Sequence, residues 1–225
     1  DISREEQDEL AAESHRRAQR AQEEGRFDSQ ILPIEQKTRK GTVVFDRDEH
    51  VRKDCSREDM AGLRPAFKKE GSVTAGNASG INDGAAAVVL MERSAAEARG
   101  LKPMARMLGY AVAAVDPSIM GIGPAPAVRK LVERTGVAIG DVDIWEANEA
   151  FAAQALSVVK ELGLDPEKVN PNGSGISLGH PIGATGAMLT VKALYELERI
   201  QGRYAVVTMC IGGGQGIATL FERCD

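Results

Sequence analysis

The sequence predicts an α/β fold in which helices cover a mixed sheet. Helix-like and strand-like patterns alternate through residues 82–225, an order that buries a sheet between helices. Two strand-like runs flank a Gly-Gly-Gly turn near the end of the chain and predict a hairpin. Charged residues are much denser in residues 1–81 than in residues 82–225, which indicates a boundary near Gly80.

The first segment, residues 1–81, begins with a helix. Ser3 and Glu6 have the spacing of a capping box, and the helical pattern continues to about Gly25. Strand-like runs follow at Ile31–Ile34 and Thr42–Phe45. A further short helix ends at Pro65. Because this segment has few apolar residues of its own, we expect it to lie as a lid on other structure.

The second segment, residues 82–225, supplies the sheet and its covering helices. Buried strands are predicted at Ala85–Met91 and Val142–Trp145. Helices are predicted at Ala127–Arg134, Phe151–Leu162 and Ala184–Ile200. The predicted hairpin consists of Tyr204–Met209 and Gln215–Phe221.

Composition excludes several classes of protein. The 225 residues include 43% hydrophobic ones, enough for a normal core, and no apolar run is long enough to span a membrane. A net charge of -5 argues against a nucleic-acid partner, because phosphate binding needs a basic face.

The three cysteines favour a reducing compartment and hence a cytoplasmic location. Their odd count and the lack of a C-x-x-C pair argue against a disulfide framework and a structural zinc site. Because the chain starts at Asp1 and not at a methionine, we expect that the native N-terminus lies elsewhere, and the lack of a targeting peptide carries little weight.

The glycine-rich stretches do not fit a dinucleotide-binding fingerprint. Gly173-x-Gly175 is followed by Leu178 and Gly212-x-Gly214 by Ile217, where the fingerprint needs a third glycine. On spacing alone, tight turns or close packing contacts explain these glycines.

His180 is a candidate catalytic residue within Gly179-His180-Pro181-Ile182-Gly183. A single histidine at the end of a loop is more often structural. Here the proline restricts the backbone of its neighbour and the glycines leave room for a ligand, so the ring is expected to point into a cleft.

Cys210 ends an apolar run and precedes three glycines. Most buried cysteines are inert small hydrophobic residues. A reactive one needs neighbours that lower its pKa or accept its proton, and backbone N–H groups or a histidine can do so. Cys55 and Cys224 lack such surroundings and are interpreted as incidental.

Two asparagine-containing loops complete the candidates. Asn148 follows a predicted strand, where an asparagine serves equally as a turn residue or as an oxyanion or water ligand. The block from Asn77 to Ala85 is rich in turn residues, and Ser79 or Asn82 could simply cap a helix.

Three motifs in a fixed order resemble the active-site loops of thiolases. They are Asn148-Glu149-Ala150-Phe151-Ala152, Gly179-His180-Pro181 and Cys210-x-Gly212-Gly213-Gly214. The resemblance covers essentially the whole chain and is specific, because these motifs rarely occur together elsewhere. It implies a thiolase C-terminal domain in residues 82–225 and the remainder of a lid domain in residues 1–81, with the N-terminal half of the fold absent.

The resemblance also implies catalytic roles. His180 would activate a nucleophilic cysteine and bind the thioester oxygen, and Cys210 would remove or return the α-proton. Asn148 would hold a catalytic water in one oxyanion hole, and the Gly212 amide would contribute to another. No metal or redox cofactor is implied.

Coenzyme A contacts are implied for a second set of residues. Asp59 stands where many thiolases have a small hydroxyl residue, which leaves that part of the nucleotide contact open. The implied contacts of coenzyme A and the acyl group are Arg52, Phe67, Ser79, Met120, Ala150 and Phe151.

None of the three cysteines lies in the motif that carries the acyl-accepting cysteine of thiolases. The chain is therefore expected to be inactive alone and to need an N-terminal thiolase half as a partner. The intact protein is expected to be a homo-oligomer that binds acetyl-CoA and other acyl-CoA esters.

The leading functional hypothesis is an acetyl-CoA acetyltransferase or short-chain β-ketothiolase of the bacterial biosynthetic type. One alternative is a degradative 3-ketoacyl-CoA thiolase with a broader acyl pocket. Another is a non-catalytic acyl-CoA-binding fragment. Condensing enzymes that use acyl-carrier protein fit less well, because only one histidine, His180, lies in a suitable motif.

Overall fold

The computed structural model describes residues 1–224. Its strands are β1 (Ile34–Thr38), β2 (Gly41–Phe45), β3 (Ala105–Ala114), β4 (Ile144–Ala147), β5 (Tyr204–Ile211) and β6 (Gln215–Arg223). Its α-helices are α1 (Arg4–Glu23), α2 (Arg57–Ala61), α3 (Arg93–Ala98), α4 (Pro124–Thr135), α5 (Ala152–Leu162), α6 (Gly175–Leu178) and α7 (Thr185–Arg199). Short 3-10 turns lie at Pro117–Ile122, Ile139–Asp141 and Pro166–Lys168.

A mixed sheet forms the centre of the molecule, with the strand order β3-β6-β5-β4. Strands β4 and β5 are parallel, whereas β6 is antiparallel to both β5 and β3. The predicted hairpin around the triple glycine is confirmed: Ile211 pairs with Gln215 at its tip. At this tip Gly214 has a φ of 89°, and an added Cβ would lie 2.2 Å from the Val115 carbonyl oxygen, so only glycine fits.

Helices cover both faces of this sheet. On one face α4 and α5 enclose a cluster that includes Leu131, Trp145 and Val206. On the other face α7 packs Leu189 and Leu197 against the sheet. Alternation along β5 explains the division, because successive side chains of a strand point to opposite faces.

Helix α1 has the capping box that its sequence predicts. The Ser3 hydroxyl accepts a hydrogen bond from the Glu6 amide at 3.1 Å, and the Glu6 carboxylate accepts one from the Ser3 amide at 2.7 Å. The helix contacts α5 and α6, so it lies on the C-terminal part of the chain. Its buried face combines alanines with polar residues: Gln7, Asp8, Ala11, Ala12, Ser14, His15, Ala18 and Ala21.

Two strand predictions were wrong. Residues 85–91 form no strand, and Val89 and Leu90 are 84% and 75% exposed. An apolar run indicates side chains that avoid water, but it does not show which strand would pair with the run. Within residues 1–224 no strand pairs with it. The first hairpin strand begins at Ile34, where the run at Ile31–Ile34 was expected to end.

Strand β3 was missed altogether. Arg106 and Gly109 interrupt its apolar pattern, and a register shift between Met107 and Gly109 breaks the period of two that identifies a strand. Among residues 1–224, no helix is long and apolar enough to cross a membrane.

Candidate active site

The parallel strands β4 and β5 bring Asn148 and Cys210 to one edge of the sheet. Ala147 pairs with Thr208, and the Asn148 amide donates a hydrogen bond to the Thr208 carbonyl at 3.0 Å. Cys210 lies two residues beyond Thr208 on β5. Since the carboxyl ends of parallel strands meet at the same edge of a sheet, loops there are common ligand sites.

His180 joins this edge from the loop that precedes α7. Its Nε2 atom lies 3.3 Å from the amide nitrogen of Asn148, and its Nδ1 atom lies 2.7 Å from the Thr185 hydroxyl. The Thr185 hydroxyl donates its own proton to the Pro181 carbonyl at 2.9 Å. Thr185 therefore accepts from Nδ1–H, and Nε2 carries the lone pair that accepts from Asn148.

The environment of His180 keeps its ring neutral. Burial lowers the pKa of the imidazole, because desolvation disfavours the charged form. A neutral ring with an unprotonated Nε2 is a proton acceptor at neutral pH.

Asn148 has one buried polar atom without a partner. The residue is 1% exposed, and within residues 1–224 its Oδ1 atom has no hydrogen-bond partner, although its amide nitrogen contacts His180. A buried carbonyl oxygen without a partner is costly, so a ligand or water that donates to it would be stabilised there. Close packing against Gly175 sets its position, since an added Cβ on Gly175 would lie 2.9 Å from Oδ1.

Cys210 is a half-buried thiol at the end of β5. Burial raises its pKa, and a hydrogen bond with its own backbone opposes that shift. The thiol is therefore protonated in the resting site. Gly212, two residues further on, is exposed in the turn to β6.

The structure brings together most of the residues implied to contact coenzyme A. The Ser79 amide donates to the Ala150 carbonyl at 3.0 Å, which joins the Asn77–Ala85 block to the Asn148 loop. Phe151 forms an isolated bridge with Ala78. Its ring meets that of Phe67 edge-on at 6.1 Å between centroids, and Phe67 is 74% exposed.

Arg52 and Met120 approach from other segments. The Arg52 side chain is exposed, and its backbone amide donates to Nδ1 of His15 on α1 at 3.1 Å. Met120 lies in the turn Pro117–Ile122, which contacts α5 and β5. Asp59 caps α2 instead, because its carboxylate accepts hydrogen bonds from Ser56.

The sequence reasoning missed Thr185 and Glu149 as supports of the site. Thr185 fixes the tautomer of His180 through a hydrogen bond to Nδ1. The two residues are five positions apart, and the chain turns into a helix between them. Glu149 is 2% exposed and accepts hydrogen bonds from Ser14 at 2.6 Å and Asn170 at 3.0 Å. The position of Glu149 next to Asn148 in the sequence was the signal that could have identified it.

Family models match most of the chain. A model described as the thiolase C-terminal domain matches residues 101–223, and one described as the thiolase N-terminal domain matches residues 1–94.

Individual relatives agree with this match. The chain is 67% identical over 224 residues to the beta-ketothiolase BktB of Cupriavidus necator, covering 99% of this chain and 57% of that protein. The crystal structure of the Bacillus anthracis acetyl-CoA acetyltransferase is similar with a TM-score of 0.97 at 56% identity, over 99% of this chain and 57% of that one. For the crystal structure of human mitochondrial 3-ketoacyl-CoA thiolase, the TM-score is 0.93 at 43% identity, over 99% of this chain and 56% of that one. The chain therefore spans 57% of the length of the BktB protein.

The prediction that the N-terminal half of the fold is absent was wrong, because residues 1–94 match the thiolase N-terminal domain. The comparisons give no support to a missing N-terminal half as a partner either. That expectation rested on the lack of the acyl-accepting cysteine motif, and a missing motif does not show that a whole domain is missing. Helix α1 in the matched region packs on the rest of the chain partly through small residues such as Ala11 and Ala18, which are both fully buried. By its two family matches, the chain belongs to the thiolase family.

Proposed function

We propose that this chain supplies proton-transfer and oxyanion-binding groups of an acyl-CoA acyltransferase. The reaction joins two acetyl-CoA molecules into acetoacetyl-CoA and coenzyme A, and thiolysis is its reverse. One observation carries the proposal: Asn148 links its amide to His180 and leaves a buried Oδ1 atom unpartnered, at the edge where Cys210 lies. This edge offers a base, a thiol and an empty hydrogen-bond acceptor together.

His180 is the proposed base for the acyl-accepting thiol. Its Nε2 lone pair takes the proton of the acyl-accepting cysteine of the intact enzyme, which is none of Cys55, Cys210 and Cys224, and Nδ1–H stays bonded to Thr185. The protonated ring then donates from Nε2 to the thioester oxygen. Burial favours return of that proton, because it disfavours the charged imidazolium.

Cys210 is the proposed acid and base at the α-carbon. In the acylation step its thiol gives its proton to the coenzyme A thiolate that leaves. The Cys210 thiolate then removes an α-proton from the second acyl-CoA. The enolate attacks the acyl group held by the enzyme, and the thiolate released from that acyl group takes back the proton held by His180. An α-proton of a thioester is very weakly acidic, so the thiolate succeeds only when donors stabilise the enolate oxygen. In thiolysis the Cys210 thiol returns the proton.

Asn148 and Gly212 complete the oxyanion sites in this proposal. Oδ1 of Asn148 accepts a hydrogen bond from a water, whose second proton points to the enolate oxygen beside His180. The Gly212 amide donates to the oxygen of the acylated intermediate. Preorganised donors of this kind contribute about 3–4 kcal/mol each to the transition state in acyl transfer.

Coenzyme A would lie over loops from both matched regions. We propose that Ser79 and Arg52 contact coenzyme A and that Phe67 packs beside its pantetheine or adenine. Met120, Ala150 and Phe151 would surround the acyl end. The proposed chemistry needs no metal or redox cofactor, because the thioester and the side chains supply every proton and electron pair.

A degradative 3-ketoacyl-CoA thiolase is the second candidate. The similarity to human mitochondrial 3-ketoacyl-CoA thiolase favours it, because that structure aligns over 99% of this chain. The chemistry is the same, and the acyl pocket alone would distinguish the two. Activity with acetoacetyl-CoA but not with longer 3-ketoacyl-CoA esters would support the short-chain assignment.

The deciding experiment is cleavage of acetoacetyl-CoA by coenzyme A with the purified protein, with its polypeptides identified by intact mass. Wild-type turnover that His180→Ala abolishes and Cys224→Ala preserves would support the proposal. Cys224 is a suitable control because it is half-buried and lies beyond β6. Retention of coenzyme A without turnover would favour a non-catalytic acyl-CoA-binding role.

We also propose a cytoplasmic location and a homo-oligomeric state for the intact protein. The first is consistent with the cysteines Cys55, Cys210 and Cys224, which form no disulfide within residues 1–224. Light scattering of the purified protein tests the second.

A further inference from the structure

Asn82 connects the His180 loop to a histidine far away in sequence. The backbone amide of His180 donates a hydrogen bond to Oδ1 of Asn82 at 3.3 Å. The amide nitrogen of the same side chain lies 3.3 Å from Nδ1 of His50. Asn82 thus uses both ends of its amide, one on the proposed catalytic loop and one on the segment after β2.

The tautomer of His50 matches the orientation of the Asn82 amide. The His180 N–H can only donate, so it faces Oδ1 and leaves the NH2 group for His50. Because that NH2 group can only donate, Nδ1 is the unprotonated nitrogen of the ring. A second hydrogen bond joins the ring to the Ile176 backbone and favours the protonated form, which identifies the partner as the carbonyl. His50 is therefore held on two sides, and it leaves Oδ1 of Asn82 facing His180.

Close packing prevents the Asn82 amide from turning. An added Cβ on Gly179 would lie 2.6 Å from Cγ of Asn82. An added Cβ on Gly80 would lie 2.6 Å from both Oδ1 of Asn82 and Cε1 of His50. Both glycines are needed because the amide fills the space that their side chains would take.

The charges around His50 keep its ring in the accepting state. Burial lowers the pKa of His50, and the nearby Arg52 guanidinium lowers it further, while the Ile176 hydrogen bond opposes the shift. The ring of His15 lies 6.5 Å away between centroids and is itself buried. A neutral His50 keeps its lone pair for Asn82 at neutral pH.

We propose that Asn82, oriented by His50, is a positioning residue that fixes the backbone of His180 and hence the direction of its ring. This inference rests on the proposed function of His180. Loss of Asn82 would let the Gly179-His180 segment move, and the Nε2 contact with Asn148 would loosen.

The kinetic test compares three variants in the intact enzyme that also carries the acyl-accepting cysteine. Asn82→Ala should lower kcat about tenfold, the effect of one lost hydrogen bond, and leave the KM for acyl-CoA nearly unchanged. His50→Leu should act in the same direction. His50→Gln should restore most of the rate, because glutamine offers one acceptor and one donor.

Asn77→Ala is the matched control. Asn77 is fully buried in the same segment and binds Asp8 and Thr74, with no contact to His180 among its hydrogen bonds. An equal fall in kcat for Asn77→Ala would show general loosening of the segment and overturn the proposal. A rise in KM with unchanged kcat for Asn82→Ala would also overturn it.

A second readout does not depend on turnover. The chain has three histidines, so NMR of ring-labelled protein follows each of them, assigned by single replacement. In Asn82→Ala the pKa of His180 should move up toward 6.5, the ordinary value, because the freed ring becomes more hydrated. An unchanged pKa of His180 in both Asn82→Ala and His50→Leu would contradict the proposal that Asn82 positions His180.

The two readouts separate this inference from the proposed function. If the His180 titration shifts as expected but the protein shows no acyl transfer, Asn82 positions His180 and the acyltransferase assignment fails. If Asn82→Ala does not fold, His50→Leu and His50→Gln carry the same comparison, since they leave the Asn82 side chain in place.

Discussion

At the residue scale, His180 and Cys210 sit in surroundings that disfavour charge on both side chains. Burial lowers the pKa of His180 and raises the pKa of Cys210. Both groups are therefore neutral at rest, which suits a site that holds a proton on sulfur and a lone pair on nitrogen. Charge would appear only when a proton moves during the reaction.

Replacing Cys210 separates the two half-reactions. Cys210→Ala should lower condensation of acetyl-CoA by about 10² to 10⁴-fold, because it removes the acid–base group at the α-carbon. In the intact enzyme that carries the acyl-accepting cysteine, acylation of that cysteine by acetyl-CoA, followed by intact mass, should remain measurable. Cys224→Ala is the control and should leave both steps unchanged. Wild-type condensation in Cys210→Ala would remove Cys210 from the mechanism.

Arg52 tests the proposed coenzyme A contact. Its side chain is exposed, whereas its backbone makes the hydrogen bond with His15, so truncation should spare the fold. Arg52→Ala should raise the KM for coenzyme A esters several-fold with little change in kcat, since it removes binding shared by ground and transition states. Arg39→Ala, in the exposed turn between β1 and β2, is the control. An unchanged KM in Arg52→Ala would assign Arg52 a structural role.

At the element scale, a buried ion pair ties α7 to β4 below the Asn148 loop. Lys192 lies 2.8 Å from the carboxylate of Glu146, and the two side chains are 4% and 0% exposed. The Lys192 ammonium also donates to the Gly173 carbonyl at 2.5 Å. Burial raises the pKa of Glu146, and the ammonium of Lys192 opposes this shift.

Breaking this pair on one side should be costly. Lys192→Met leaves a buried carboxylate without its partner and should lower the free energy of unfolding by about 3–5 kcal/mol. The double variant Glu146→Leu/Lys192→Met should lose much less, because no unpaired charge remains. Urea unfolding followed by circular dichroism measures both differences from the wild type.

An exposed pair provides the control for this comparison. Arg93 and Glu97 form an ion pair at 2.9 Å on α3, with side chains 82% and 63% exposed. Arg93→Met should leave the free energy of unfolding nearly unchanged, because water already solvates both groups. Equal losses for Lys192→Met and Arg93→Met would contradict the role of burial.

At the scale of the whole molecule, α1 joins the region that matches the thiolase N-terminal domain to the region that matches the C-terminal domain. Ser14 on this helix donates to Glu149 beside the active site, and His15 accepts from the Arg52 amide. Burial lowers the pKa of His15 to about 4, and the charges of Arg52 and His50 act in the same direction.

The buried His15 predicts acid sensitivity of this packing. Its folded pKa of about 4 lies below the ordinary value of 6.5, so the neutral ring contributes stability above pH 6.5. The unfolded chain binds the extra proton first, and this stability is lost progressively as the pH falls from 6.5 to 4. His15→Gln should flatten the dependence of unfolding free energy on pH in that window. A slope equal to that of the wild type would show that His15 does not control it.

Much of the site could be predicted from the sequence. His180, Asn148 and Cys210 were identified from loop motifs, and the structure places Asn148 in contact with His180 and on the same sheet edge as Cys210. Glycines and prolines around a single polar side chain are local signals that can be recognised in the sequence without knowledge of the fold. The catalytic roles and the boundary near Gly80 stay predictions.

The supports of the site could not be found in the same way. Thr185, Asn82 and His50 act through hydrogen bonds that cross turns or join segments distant in sequence, and no local pattern records such a contact. The expected absence of the N-terminal half had another source, because it was inferred from a missing cysteine motif. The sequence also could not show that the alanines of α1 are core residues, because they become so only when another surface fits against them.

The sequence by itself determined the hairpin at the triple glycine, the N-terminal capping box and the positions of the reactive side chains. Each of these depends on backbone preferences or side-chain chemistry within a few residues, so the local chain specifies them. Only the tertiary structure decided the tautomer of His180, the unpartnered oxygen of Asn148 and the burial of α1. Those properties arise from neighbours brought together by packing, and packing depends on the shape of the whole molecule.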